Sequence, residues 1–290
     1  MLEIDEFEQW LFTDGKAAKT IESYVNDVKG FQSYLQEKFK GVPVLSRFSF
    51  VRYKEHLMKD GYAISTINKK INSLKVYNDF LRTEGALSES FIQLKRDRIK
   101  IAAGSEVNVD ALSEEQVEQL LFYVENRGKV STRNKLVVYL LLYTGVRVSE
   151  LVSIKITDID FLTNQLTVIG KGEKRREIGL RQDVLQLVRD YMKEERSGSI
   201  FSYSDYLLVS QRAEKMHRDA VRDWLAKVSK VLGFKLHPHL FRHTFCTRLL
   251  KKGVDLTTVS KLAGHSTVNM TARFYIQTTK QEKMDAVNLL

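Results

Sequence analysis

The chain has 290 residues, with 46 Lys+Arg against 36 Asp+Glu and a formal charge of +10, and its sequence pI is about 9.4. That length allows two domains, each with its own core, and the basic balance favours a polyanionic partner such as nucleic acid over an acidic lipid surface, since no dense basic tract adjoins an apolar segment. Its single cysteine, Cys246, rules out an intrachain disulfide and a multi-cysteine zinc site.

Met1 to Glu8 is acidic where a signal peptide would be basic and then apolar. The longest apolar run, Leu136 to Tyr143, falls far short of the ~20 residues that a membrane-spanning helix needs. The expectation is a cytoplasmic protein with no membrane partner.

Residues 1 to about 100 read as helices. Ile21, Val25, Val28, Phe31 and Leu35 recur at helical spacing, and Gly41-Val42-Pro43 breaks the chain after them. From Ser65 to Arg82, Ile67, Ile71, Leu74, Tyr77 and Leu81 mark one helix face. Lys69, Lys70 and Lys75 are left to the other faces and are candidate DNA contacts, either to base edges or only to phosphates. Periodicity fades between Lys95 and Asp110, which predicts a domain at 1–103, a linker at 104–110 and a second domain at 111–290.

Ser113 is a good N-cap, followed by Val117, Leu120, Leu121 and Val124. After the apolar run comes Thr144-Gly145-Val146-Arg147-Val148-Ser149-Glu150-Leu151. An arginine just beyond a buried element needs anionic company. Glu150 can supply it as a structural ion pair, or can orient Arg147 toward a phosphate.

The period then shifts to strands at Gln165 to Ile169 and Arg176 to Leu180, with a basic turn between them. Lys171, Lys174 and Arg175 on that turn form a solvated or a phosphate-facing loop. Either Lys171 or Lys174 can place an ammonium near a departing alkoxide, which must be protonated as it leaves. From Asp183 onward the reading is again helical, interrupted near Gly198, Gly233, Gly253 and Gly264.

Pro238 suits the first turn of a helix running to about Leu250. On it His239, Arg242, His243 and Cys246 share a face, while Phe241, Phe245 and Leu249 lie on another and bury. An arginine fork and an imidazole near a helix N-terminus make a phosphate site, the alternative being a surface helix with a few histidines. A metal is not expected: His239 and His243 have i, i+4 spacing, but no His-Glu-x-x-His pattern accompanies them and no cysteine or carboxylate stands at ligand spacing. His237 and His243 read as structural. Tyr275 follows Ala263-Gly264-His265 in a polar stretch. Its phenol, with a pKa of ~10, needs a base or strong charge stabilisation to attack phosphorus.

In this order the motifs resemble the tyrosine recombinase (lambda-integrase-like) family, in its compact Xer-like or transposon-encoded form. They are Thr144-Gly145-x-Arg147-x-x-Glu150-Leu151, Gly170-Lys171-Gly172, His239-x-x-Arg242-His243, Gly264-His265 and Tyr275. The motifs cover about residues 110 to 280; Ala263 and Phe241 stand where leucine is common in the family. The resemblance implies a mainly α protein: an N-terminal helical core-binding (SAM-like) domain plus a C-terminal α+β catalytic domain with a small antiparallel sheet, together a C-shaped DNA clamp.

It further implies site-specific DNA strand cleavage and rejoining through a 3′-phosphotyrosine intermediate and a Holliday junction, resolving cointegrates or dimers. The alternatives are a phage- or element-type integrase and an inactive DNA-binding relative. Arg147 and Arg242 would hold the scissile phosphate, Tyr275 would attack it and Lys171 would be the general acid. His239 would assist proton transfer, His265 would donate to the phosphate and Glu150 would support the arginines.

No cofactor is implied. The partners implied are a double-stranded recombination site, a homotetramer on two duplexes and, where the site requires them, accessory DNA-binding proteins. The protein would be nucleoid-associated when bound to DNA. Met284, Val287, Leu289 and Leu290 form a short apolar face that either docks on a neighbouring protomer or folds onto its own core.

Overall fold

The computed structural model describes residues 4–39, 45–100, 110–126, 128, 130–170, 173–265, 267–272 and 288. The chain divides into two compact units, residues 1–106 and 107–290. Among the described residues no helix is long and apolar enough to cross a membrane.

The first unit is built from α1 (Ile4–Thr13), α2 (Ala18–Lys38), α3 (Arg47–Lys59), α4 (Ile64–Thr83) and the short α5 (Leu94–Asp97). Its start signals are local. Ser46 and Ser49 form a reciprocal cap at the head of α3, with bonds of 3.1 and 2.9 Å that satisfy two otherwise unpaired N–H groups. The apolar stripes meet in one core containing Phe7, Phe31, Phe50, Ile67, Ile71, Leu74 and Tyr77. Each such side chain contributes roughly 1.5–3 kcal/mol by leaving water. Phe7 packs edge-on against Tyr77 with ring centroids 5.0 Å apart.

Two carboxylates sit inside this helical unit, and both are fully engaged. Asp27 of α2 accepts from Ser73 Oγ at 2.7 Å and lies 3.1 Å from Lys69 Nζ and 3.2 Å from Lys70 Nζ, all on α4. Asp97 is gripped by Arg47 at 2.8 Å and by the Gln93 N–H at 2.8 Å. Burial pushes the Asp97 carboxyl up, but the Gln93 N–H and the guanidiniums of Arg47 and Arg96 outweigh it and hold the group below its usual range. Lys75 pairs with Asp79, one turn along α4.

The second unit opens with α6 (Glu114–Glu125), capped by Ser113 and Gln116. Next comes α7 (Thr132–Thr144), on which Leu136, Val137, Val138, Leu140, Leu141 and Leu142 are all buried. A helix apolar on every side has to be enclosed, and α7 packs against α9 (Gln182–Tyr191) and α11 (Pro238–Lys251). The very short α8 (Val148–Leu151) follows, then a three-stranded antiparallel sheet in the order β1 (Ile159–Asp160), β2 (Gln165–Ile169), β3 (Arg175–Gly179). Leu166 pairs with Ile178 and Val168 with Arg176, so one face of the hairpin carries three apolar residues and an arginine. The chain continues through α10 (Arg218–Leu232), α11, α12 (Leu256–Ala263) and α13 (Val268–Ala272).

One stretch departs from the helical reading of residues 183 onward. After a π-helical turn at Met192–Arg196, residues 197–217 contain no helix. Within it, a single buried side chain holds residues 202–207. Arg196 donates to the carbonyls of Ser202 (2.9 Å), Ser204 (2.5 Å), Tyr206 (3.1 Å) and Leu207 (3.2 Å), giving them a partner that a helix would otherwise provide.

Candidate active site

The Thr144-Gly145 turn ends α7 with Gly145 in the left-handed region, φ 62°. Only glycine fits there, for steric as well as conformational reasons: a Cβ would lie 2.3 Å from Cδ1 of Phe245 on α11. The turn thereby aims the Gly145 carbonyl at α11, where Arg242 Nη1 donates to it at 2.8 Å. Arg242 is 2 % exposed, and its Nη2 has no partner among the described residues. Burial, and then the charge of Arg147, push its guanidinium down to about 10, so it stays protonated at neutral pH.

Arg147 is anchored twice. Its Nη1 donates to Glu150 Oε1 at 2.8 Å and its Nη2 to the Gly264 carbonyl at 2.9 Å. The Arg147 backbone N–H donates to Glu150 Oε2, also at 2.8 Å, so the carboxylate caps α8 as well as pairing with the side chain. Gly264 closes α12 at φ 64°, in the left-handed conformation again. Each of the two arginines therefore has one arm fixed to the carbonyl of a left-handed glycine.

Glu150 also receives Arg176 of β3, at 3.1 Å on Oε1 and 2.8 Å on Oε2. Burial pushes the Glu150 carboxyl up, but the hydrogen bonds from Arg176 and from Arg147 hold it below its usual range. Arg176 was hidden within the basic run of the hairpin. The signal for it was strand alternation, because it shares the face of buried Ile178 and lies opposite buried Val168.

His265 follows Gly264 directly and its Nδ1 is 2.7 Å from Thr271 Oγ1 on α13. Burial, Arg242 and Arg147 push its pKa down to about 4. His239, exposed one turn before Arg242, is lowered by burial and by Arg242. His243 is held down at about 4, by burial first and then by His239, whose ring centroid is 4.9 Å away. Its Nδ1 lies 3.2 Å from the Asp110 carbonyl. His237 is the N-cap of α11, its Nδ1 accepting the Leu240 N–H at 3.2 Å. All these imidazoles are neutral at pH 7. Arg242 and Cys246 share the predicted face with His239 and His243, yet those two are buried while His239 is exposed, and burial raises the Cys246 thiol to about 11.

Arg147, Glu150, Lys174, Arg175, Arg176 and His265 line one open cleft of about 1080 Å³. Lys174 and Arg175 are exposed at its rim. Gly170, whose N–H donates to the Lys174 carbonyl at 2.8 Å, brings the hairpin turn to the same place: a Cβ on it would stand 3.7 Å from Glu150 Oε1. Lys171 and Tyr275 lie outside the described residues, as do residues 281–287, 289 and 290. Lys69, Lys70 and Lys75 belong to the first unit, each against a carboxylate. Among the described residues no group of three or more His, Cys, Asp or Glu is placed to hold a metal ion. An open cleft lined by the fixed Arg147 and the neutral His265, with the charge of buried Arg242 close enough to Arg147 to be felt, suits a phosphodiester, whose non-bridging oxygens accept N–H donors while a neutral imidazole can take up a proton.

Comparison with known proteins gives the same picture. The model described as the phage integrase family matches residues 110–282, and that described as its N-terminal SAM-like domain matches residues 4–85. A TnP I resolvase of Bacillus thuringiensis is 30% identical over 269 residues, covering 92% of each chain. Tyrosine recombinase XerC of Staphylococcus epidermidis is 39% identical over 163 residues, 56% of this chain, and there the match spans only 55% of the relative's length. The fold resembles XerH recombinase bound to a palindromic difH substrate, with TM-score 0.79 and 19% identity over 99% of this chain and 84% of that one. It also resembles the Tn1549 transposon integrase in complex with circular intermediate DNA, with TM-score 0.75 and 20% identity over 99% of both chains.

Proposed function

Since the chain belongs to the phage integrase family, the tyrosine recombinases, we propose that it cuts and rejoins DNA at a specific site through a covalent 3′-phosphotyrosine. The observation that carries this reading is the pair of anchored arginines, Arg147 and Arg242, the second keeping a buried Nη2 with no partner among the described residues. A desolvated, preorganised donor interacts with developing charge far more strongly than one in water.

In this reading the two guanidiniums hold the non-bridging oxygens of the scissile phosphate. Tyr275 Oη attacks phosphorus and the bond from phosphorus to the 5′ oxygen breaks. The phenolic proton passes to neutral His239. Lys171 donates a proton to the departing 5′ oxygen, and His265 donates to the phosphate. The 5′ hydroxyl of a second duplex then attacks the phosphotyrosine, so the bond energy is kept. Two such rounds exchange both strand pairs through a Holliday junction. Lys174 and Arg175 at the cleft rim, and Lys69, Lys70 and Lys75 on α4, contact the phosphate backbone.

Resolution of cointegrates or dimers is the role we infer, because the similarity to a resolvase extends over 92% of both chains. Strand exchange then requires a homotetramer on two duplexes, and we infer that residues 281–290 dock on the neighbouring protomer. Domain limits of 1–103 and 111–290 fit this division of labour, as does a location on the nucleoid.

The test uses a duplex site that the protein itself selects from a randomised pool, nicked so that cleavage is trapped. Wild type gives a covalent protein–DNA band on a denaturing gel and Tyr275→Phe gives none. A band from the Phe variant overturns the nucleophile. No band from wild type on a site it binds overturns the enzymatic reading.

A further inference from the structure

Glu150 is used to capacity. An ionised carboxylate offers about four acceptor positions, and four bonds fill them: Arg147 Nη1 and Arg176 Nη1 on Oε1, the Arg147 N–H and Arg176 Nη2 on Oε2. Arg176 reaches this site from the sheet. Its side chain is 12% exposed, and its Nε donates to the Leu262 carbonyl at 3.0 Å, two residues before the Gly264 carbonyl that anchors Arg147. The approach is so close that a Cβ on Gly264 would meet Arg176 Nη1 at 2.9 Å and Cζ at 3.1 Å.

We propose that Arg176 is a positioning residue for Arg147: by filling one side of Glu150 and bracing the 262–264 turn, it holds the Arg147 guanidinium stretched between the carboxylate and the Gly264 carbonyl. The proposal rests on the reading of Arg147 as a phosphate ligand. Without Arg176, two acceptor positions on a buried anion open. The nearest donor able to fill them is Arg147, which turns onto Glu150 as a bidentate pair and releases Gly264. The turn that carries His265 then loses both of its guanidinium anchors.

Two measurements decide this. In a crystal structure of DNA-free Arg176→Ala, Arg147 Nη2 is expected to leave the Gly264 carbonyl and pair with Glu150; an unmoved Arg147 overturns the proposal whether or not the protein proves to be a recombinase. On the nicked duplex at saturating concentration, Arg176→Ala should form the covalent adduct about 100-fold more slowly with little change in duplex affinity, the cost of a small misplacement of a binding group. Arg176→Lys keeps the charge and serves as the folding control. It should recover less than about tenfold, because an ammonium cannot replace the fork.

Adding Glu150→Gln to Arg176→Ala should restore part of the rate, since a neutral amide no longer draws Arg147 away. A purely structural strut predicts the opposite, a double variant slower than either single one. That result, or a wild-type rate in Arg176→Ala, overturns the proposal. Absence of adduct from wild type fails the functional reading alone, and the crystallographic arm still stands.

Discussion

The two units balance their buried charges differently and to different ends. In the helical unit the buried groups are acids, Asp27 and Asp97, ringed by bases that reach in from other segments until every carboxylate oxygen has a partner. At the candidate site of the second unit the buried charges are Arg242 and Glu150, and the carboxylate also pairs with the half-buried Arg147 and Arg176, so three guanidiniums gather about one carboxylate. The first arrangement is closed and contributes to stability. The second leaves positive charge in excess inside a cleft, which destabilises the free protein and favours an anion.

This contrast is testable, and the largest effect is expected at Arg242. Arg242→Met should slow adduct formation on the selected site about 1000-fold or more, the loss of a preorganised donor at developing charge. Thermal denaturation of the same variant should show an unchanged or raised Tm, because an apolar side chain replaces a desolvated cation. A clear fall in Tm would place Arg242 with the closed ion pairs of the first unit.

Gly145→Ala should come next, costing about 3 kcal/mol in urea unfolding through left-handed strain and a forced shift of Phe245. It should also lower activity, although it removes no reactive group. Asp27→Ala should cost about 1–3 kcal/mol while leaving the adduct rate nearly unaltered, since the two lysines lose their acceptor but can turn to water, and buried Ser73 is left with the Lys69 carbonyl at 3.3 Å.

A separate effect is expected in acid. His243 and His265 are both held down at about 4 in the fold, against 6.5 for an ordinary imidazole. The unfolded chain therefore binds more protons between those values, and stability falls as pH drops from about 6.5 to about 4. His265→Gln should flatten that decline in a series of unfolding curves taken across the window.

Much of this was legible in the sequence, because helices and motif glycines are specified by near neighbours. The expected helix over 65–82 is found at 64–83, and that from Pro238 to Leu250 ends one residue later. The pairing of Arg147 with Glu150 follows from i, i+3 spacing on a short helix. The rest depends on partners distant in the chain. Arg176 meets Glu150 across 26 residues and Leu262 across 86, and only the register of β2 on β3 turns it inward. Lys69 and Lys70 read as free basic groups because Asp27 sits on another helix. Residues 197–217 carry enough apolar positions to suggest a helix, but Arg196 binds the carbonyls such a helix would use.

That last arrangement changes how the surface loops of this protein should respond to probes of local opening. The peptide groups around 202–207 are tied inward on both sides, by Arg196 through their carbonyls and by the Leu207 N–H and Ile156 N–H, which link the segment to Ile154 and Asp205. Such a segment exchanges its amide hydrogens slowly and resists proteases despite having no regular secondary structure. Its protection also hangs on one side chain. Loosening Arg196 would release in a single event the stretch that braces the chain leaving α8, so the pace of local opening there is set by the lifetime of one guanidinium in its ring of carbonyls.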